Sequence, residues 1–366
     1  MDFLERIDIH YRKQLPFVAY SKPGEDRVQA ILQKDDTLHR LKSYRDTGFI
    51  LAPFAAGHST ILTVPDDLLE ASTRKLPPLA PKPDGSVPPT TLRDKSLHVK
   101  LVKKGVEEIK KGIVKKVVLS RRMEVESDAQ PLDLFQKLLT NYPTAFCYLW
   151  YHPKVGLWLG ATPEILLRLQ NGRLTTMSLA GTQKFTGNAT PEWGEKELEE
   201  QQMVTDYILD ALEGSVERLT LSNTETARAG GLLHLRTKIT GRVAEGELGN
   251  IVHALHPTPA VCGLPKQNAF DFIVRNEAYD REYYTGYLGE LNLKTVKQRS
   301  SRRKNQENQA YRAIAKTTTL YVNLRCMQIK DDTAFIYVGG GITKDSDAER
   351  EWEEIVAKST TMTQVL

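Results

Sequence analysis

The chain has 366 residues, enough for one large domain or two ordinary ones. Apolar residues at 40% and charged residues at 26% describe an ordinary soluble globular protein, and a net charge of +4 is too small to imply a nucleic-acid partner by itself. The N-terminus lacks the basic-then-apolar layout of a secretory signal, and no apolar run approaches the ~20 residues of a membrane span, so a cytoplasmic protein with no membrane partner is expected.

In chain order, residues 47–54 and 59–64 read as two strands around a short turn. Residues 76–91, rich in proline with glycine and serine, read as a loop or linker. A helix is expected over about 96–111, where Val99, Leu101, Val102, Val106 and Ile109 fall at roughly helical spacing. Residues 115–125 follow as a strand of β-branched and apolar residues. A lysine entering such a strand usually snorkels to solvent. If Lys116 points inward instead, burial and cationic neighbours would lower its pKa toward the range of a general base.

Residues 145–151 and 155–160 are expected to form a hairpin around His152-Pro153-Lys154, the second strand running into Ala161-Thr162-Pro163-Glu164. Glu164 is either an edge charge or a desolvated acid, whose raised pKa would suit a proton donor. A third strand over 173–178 ends in the small-residue turn Leu179-Ala180-Gly181-Thr182, and a helix spans 195–212. The apolar stripe of that helix, extended backwards, lands on Glu200 and Glu197. Acids there suit the helix dipole, yet Glu200 on a buried face needs a cationic partner.

A strand over 232–243 and a short helix over 248–255 lead to the rigid loop His256-Pro257-Thr258-Pro259-Ala260, in which His256 is more often a core histidine than a catalyst. A helix through 269–273 precedes an aromatic strand over 281–290. Residues 294–316 are a basic excursion between strands at 286–293 and 317–327, read as a long, mobile hairpin excursion. Arg325 lies inside the second of these strands, where its planar fork calls for an anion such as a ligand carboxylate. Cys147, Cys262 and Cys326 have no metal-type spacing and sit in apolar surroundings, as buried thiols of a reducing compartment do.

Near the end, a strand over 335–338 enters Gly339-Gly340-Gly341, read as a glycine turn, and Asp345, Ser346 or Asp347 can cap the helix beyond. On it Glu351, Glu354, Ile355 and Lys358 share one face and look like a site for a divalent cation and an anion; a surface helix laced with ion pairs is the plainer alternative. Many strands, few helices and hairpins in place of β–α alternation predict an α+β fold with mostly antiparallel sheets. Lys116, Glu164, Glu200, Arg325, Glu351, Glu354 and Lys358 are out of place for a core. Together they could hold a metal, a carboxylate substrate and an acid–base pair.

From about residue 96 to 358 the chain resembles the chorismate-utilising enzymes, most closely the isochorismate synthases. The marks are Lys116-Val117-Val118-Leu119-Ser120-Arg121, Gly160-Ala161-Thr162-Pro163-Glu164, Leu179-Ala180-Gly181-Thr182 and His256-Pro257-Thr258-Pro259-Ala260. Arg281 with Tyr284 and Gly286, Leu324-Arg325-Cys326, and Gly341-Ile342 with Glu351-Trp352-Glu353-Glu354 and Lys358 complete them. The resemblance implies a single large domain of two mostly antiparallel sheets with flanking helices enclosing the active site. Residues 1–94 would be scaffold completing that fold, and 95–362 the chorismate-binding region.

By the same resemblance Lys116 would be the base that activates water for attack on ring carbon 2, and Glu164 the acid that protonates the hydroxyl leaving carbon 4. Glu200 and Glu354 would hold Mg²⁺, with Glu351 bound directly or through water. Arg325, Tyr284 and the backbone at Gly181, Thr182 and Gly341 would hold the pyruvyl carboxylate, with Lys358 near the ring carboxylate and His256 and Thr258 lining the site. The lysine before Val117-Val118 resembles the water-adding members, and Ala180 stands where aminodeoxychorismate synthases carry lysine. The acidic helix lacks the histidines common around the metal glutamate, which leaves Glu199 competing with Glu200. The family implies a monomer serving menaquinone or catechol siderophore synthesis, menaquinone preferred. A salicylate synthase is the nearest alternative, and a nucleic-acid-binding protein using 299–304 a remote one.

Overall fold

The computed structural model describes residues 2–77, 79, 90–185, 187, 191–229, 232–297 and 313–366. Helix α1 (Phe3–Arg12) precedes strands β1 (Phe17–Ser21), β2 (Val28–Leu32), β3 (Gly48–Ala52), β4 (Ile61–Thr63) and β5 (Asp67–Ala71). Helix α2 (Leu92–Lys110), strand β6 (Lys116–Glu126) and helix α3 (Pro131–Asn141) lead to β7 (Phe146–His152), β8 (Gly156–Thr162), β9 (Ile165–Gln170) and β10 (Arg173–Lys184). After α4 (Glu195–Leu212) come β11 (Val216–Leu221), β12 (Glu225–Ala229), β13 (Leu232–Val243), α5 (Leu248–Leu255), β14 (Gly263–Leu264) and α6 (Lys266–Asn276). The chain closes with β15 (Tyr287–Lys297), β16 (Ala313–Val322), β17 (Cys326–Lys330), β18 (Thr333–Ile342) and α7 (Ala348–Thr363).

The described strands form two nine-stranded sheets, β14-β6-β18-β17-β8-β7-β1-β2-β5 and β11-β13-β10-β9-β16-β15-β3-β4, with β12 also on β13. Their side chains alternate between two apolar environments, as the pleat requires. On β7, Phe146, Tyr148 and Trp150 face the second sheet, while Cys147, Leu149 and Tyr151 face the helices outside. On β3, Phe49 and Leu51 meet the same inter-sheet aromatic layer, whereas Ile50 and Ala52 turn to the opposite helical layer. Helices α1, α3 and α7 cover the first sheet, and α4 and α5 the second. Strands buried on both faces explain why the sequence shows apolar runs in place of polar–apolar alternation.

Strands β1, β2 and β5 extend the first sheet, and β3 and β4 the second, so the N-terminal region is built into both layers. Several expectations need correction. The three late glycines are no turn: they continue β18, with Gly339, Gly340 and Gly341 opposite Ser120, Leu119 and Val118 of β6. Residues 281–286 form turns, and the strand starts only at Tyr287. The strand expected over 317–327 is broken, because Arg325 lies in the turn between β16 of one sheet and β17 of the other, with φ +48°. The basic excursion's flanking strands are longer than expected, paired as far as Lys297 and Ala313. Its cluster at 299–304 lies outside the described residues, as does most of the proline-rich segment at 76–91.

Phe146 stacks on Tyr321 at a ring separation of 4.1 Å and joins the two sheets from a fully buried position. Phe146→Ala should cost about 3–5 kcal/mol, the usual penalty for emptying a packed aromatic site. Urea unfolding would show it as a lower midpoint with an unchanged slope; an unshifted midpoint would deny this ring its part in holding the layers together.

Candidate active site

The site forms where β18 gives up its side chains. A Cβ on Gly341 would lie 2.7 Å from Glu200 Oε1, and one on Gly339 2.8 Å from the Tyr284 hydroxyl. A Cβ on Gly340 would lie 3.5 Å from Glu351 Oε2 and 3.8 Å from Glu354 Oε1. Without Cβ atoms at Gly341 and Gly339 the strand admits Glu200 and the Tyr284 hydroxyl, while Glu351 and Glu354 stand at ordinary contact distance from Gly340. Asp347 caps α7 by accepting from the backbone N–H groups of Glu349 and Arg350, which sets the face carrying Glu351, Glu354 and Lys358 against this edge. Ile355 on the same face is sunk in the first sheet's apolar layer, so the helix is no free surface element.

Three ion pairs knit the edge together. Lys116 Nζ lies 2.7 Å from Glu200 Oε1, Lys196 Nζ 3.1 Å from Glu351 Oε1, and Lys358 Nζ 2.6 Å from Glu354 Oε1. Lys358 also donates to the Gly339 carbonyl at 3.1 Å. Lys116 points inward and is fully buried, but its charged neighbour is the anion Glu200, not the cations that the sequence reading supposed. Burial works against the Glu200 charge, yet Lys116, Lys358 and Lys196 outweigh it and hold this carboxyl below its ordinary range. Burial, with Glu354 close by, raises Glu351. Glu199 is exposed, so Glu200 alone of the two faces inward.

One cavity is walled by Glu164, Gly181, Thr182, Glu200, Tyr284, Arg325, Gly341, Glu354 and Lys358, nine of the residues marked in the sequence. Lys116 and Glu351 reach the same edge from behind Gly341 and Gly340. Glu164 is 5% exposed, and burial pushes its carboxyl up to about 8 against the pull of Lys116 and Arg325. It therefore keeps its proton at neutral pH. His256 and Thr258 are not part of this wall. The His256 ring contacts the Pro53 carbonyl at 3.2 Å and packs edge-on against Tyr287, as a core histidine does. Their loop reaches the cavity through Ala260 and Val261 instead.

Arg281 stands behind the wall. Its guanidinium pairs with Glu277 at 2.6 Å and donates to the carbonyls of Val118 (2.7 Å) and Val261 (3.0 Å), both residues of the cavity lining. Leaving either buried partner alone would be costly, so the pair ties β6 to the 256–262 loop.

Two cavity residues escaped the sequence reading. Lys196 lies one turn before Glu200 on α4, a spacing that could have revealed it. His234 is the polar residue inside the apolar run of β13, and it links the opposite ends of the site. Its Nδ1 donates to the Gly181 carbonyl at 2.9 Å, and its Nε2 lies 2.9 Å from Arg325 Nη2. A guanidinium has only donors, so Nε2 must be the acceptor and the ring neutral. Gly181 lies inside β10 and not in the small-residue turn expected over 179–182; pairing with β13 shifts between Ala180 and Gln183, and Gly181 takes φ +68°, where a side chain would be strained. Burial, reinforced by the Arg325 charge, pushes His234 down to about 3, and burial lowers Arg325 only to about 10, leaving it charged.

Comparison with known proteins follows the same outline. A family model described as chorismate binding enzyme matches residues 66–297, and a second of that description matches 311–364. Isochorismate synthase MenF of Escherichia coli is 28% identical over 277 residues, which cover 73% of this chain but only 59% of that protein. A Mycobacterium tuberculosis protein bearing the MenF name is 30% identical over 339 residues, 85% of this chain and 83% of that one. The solved structure of MenF, the menaquinone-specific isochorismate synthase of E. coli, superposes with a TM-score of 0.75 at 22% identity, covering 96% of this chain and 88% of that one. At that identity the superposition speaks for the fold alone.

The His234 geometry predicts an imidazole that stays neutral, protonated on Nδ1, down to about pH 3. Nitrogen chemical shifts of the ring would show it; titration near 6.5 would mean that the Arg325 contact does not hold in solution.

Proposed function

Since the chain belongs to the chorismate-binding enzymes, we propose that it converts chorismate to isochorismate. The observation that carries this reading is a proton-bearing carboxyl, Glu164, in a cavity that Arg325 also lines, with the buried Lys116 paired to Glu200 of the same wall. In the proposed reaction the Lys116 ammonium first gives up a proton to solvent, and the free amine then takes a proton from water as its oxygen bonds to ring carbon 2. The two ring double bonds shift one position each, and the carbon–oxygen bond at carbon 4 breaks. Glu164 gives its proton to the departing hydroxyl, which leaves as water, so the product is an isomer of the substrate. A base and an acid on opposite sides of a flat ring avoid a free hydroxide in an enclosed site. Arg325, held by His234, suits a carboxylate through its planar fork. Tyr284, Thr182 and the backbone of Gly181 and Gly341 would complete that anchor, with Lys358 toward the ring carboxylate.

The edge of β18 is the place proposed for a divalent cation. Glu200, Glu351 and Glu354 offer oxygen donors around glycines that leave room for them, which suits Mg²⁺. When bound, the ion would neutralise the substrate's ring carboxylate and favour charge shift through the ring. Three buried free cysteines support the cytoplasmic reading, and no described helix is long and apolar enough to cross a membrane. The MenF names among the relatives, with the menaquinone-specific MenF structure, favour menaquinone over siderophore synthesis, and the monomer is proposed from the family resemblance alone.

Incubation with chorismate and Mg²⁺, followed by chromatography, tests the reading. Isochorismate without pyruvate is expected; salicylate with pyruvate would make this a salicylate synthase, and unconsumed chorismate would refute the proposal. Because Glu164 must hold its proton, kcat/KM should fall as pH rises through about 8, and an alkaline limb absent from that region would remove it as the acid. Lys116→Ala should lower turnover about 10²–10⁴-fold while circular dichroism stays that of the folded protein. Unchanged turnover would exclude Lys116 as the base.

A further inference from the structure

If Glu200, Glu351 and Glu354 are to receive a divalent cation, their present partners must give way. Among the described residues no three acidic, histidine or cysteine side chains converge closely enough to hold an ion as they stand. Each carboxylate is instead drawn to its own ammonium, and three negative charges meet three positive ones. A cation entering such a cluster gains little field until one ammonium leaves.

The three lysines are unequal. Lys116 has a side chain only 1% exposed and is enclosed behind Gly341. Lys358, at 18%, is anchored a second time on the Gly339 carbonyl. Lys196 is 38% exposed, sits on the first turn of α4 at the cavity mouth, and makes the longest of the three contacts. Its stem is flexible and its ammonium can be rehydrated without moving backbone. Glu351, in contrast, is 4% exposed and lies beside Glu354, so it needs a positive partner whether that partner is a lysine or a metal.

We infer that Lys196 is a tethered counter-ion for the cation site: it occupies Glu351 in the metal-free protein and swings out to solvent when a divalent cation enters. The inference rests on the proposed cation site and adds the residue that sets its affinity. Every metal ion that binds must first open the Lys196–Glu351 pair, so the apparent affinity is the intrinsic one reduced by the fraction of protein with the pair open. Lys196 thereby keeps Glu351 paired without metal. It is a positioning residue and contacts no reacting atom.

Mn²⁺ titration of the full chain without chorismate, followed by electron paramagnetic resonance, reads the effect apart from turnover. The wild type, Lys196→Gln and Lys196→Arg are compared. Lys196→Gln should bind Mn²⁺ about tenfold more tightly than the wild type, with Lys196→Arg within about twofold of it. The melting temperature of Lys196→Gln should also rise further on adding Mg²⁺, because its Glu351 has no partner until the ion arrives. Should the glutamine variant aggregate, Lys196→Met carries the same expectation. Equal or weaker Mn²⁺ binding by the neutral variant, with binding by the wild type intact, would overturn the inference and leave the cation site standing. Tighter binding by the arginine variant as well would also overturn it, since charge would then not be the determinant. No Mn²⁺ binding by any of the three proteins would overturn the cation site and the inference together.

Discussion

Six charged side chains meet beside a three-residue stretch of strand that has no side chains of its own. Ordinarily a buried carboxylate or ammonium is expelled or neutralised, because the loss of hydration exceeds what a single partner returns. Here Lys116, Lys196 and Lys358 are set one against each of Glu200, Glu351 and Glu354, and Gly339 to Gly341 supply the space. A methyl group on Gly341 would strike Glu200. The rest of the site depends on this arrangement, since it brings α4, α7, β6 and β18 to one edge.

The architecture around that edge is rigid where it has to be. Each sheet is covered by helices outside and by the other sheet inside, so neither the strand that bears Lys116 nor the strands β8 and β9 on either side of Glu164 can shift without disturbing two apolar layers. Arg325 takes a left-handed conformation where the chain passes from one sheet to the other, and His234 reaches across to hold it. Strain at such a position persists only when surrounding contacts over-determine it. The Arg281–Glu277 pair does comparable work for the cavity wall, fixing two backbone carbonyls from behind.

Much of this was legible in the residues, and the failures have physical causes. Helices α4 and α5 and strand β13 match the expected ranges because each carries an uninterrupted pattern bounded by polar or turn residues. The glycine run read as a turn because local propensity says nothing of a partner strand such as β6 or of side chains arriving from α4 and α7. Arg325 read as a strand residue because the switch between sheets is a tertiary event with no local sign. His256 was placed in the site by resemblance, whereas the plainer reading of a core histidine describes its contact with Pro53. His234 went unmarked because one polar residue among leucines gives no hint of what stands opposite. The pairing of Lys196 with Glu351 joins residues 155 apart in the chain, beyond any periodicity argument.

The claim at the centre is that Lys116 and Glu164 address opposite sides of one small ring held in this cavity. A crystal structure of the Glu164→Gln protein with chorismate and Mg²⁺ tests it most directly. The account predicts the ring in the cavity, carbon 2 toward Lys116, the carbon 4 hydroxyl toward residue 164, and a carboxylate on Arg325. A ring bound outside the cavity, or with Lys116 and residue 164 on the same side of it, would contradict the account.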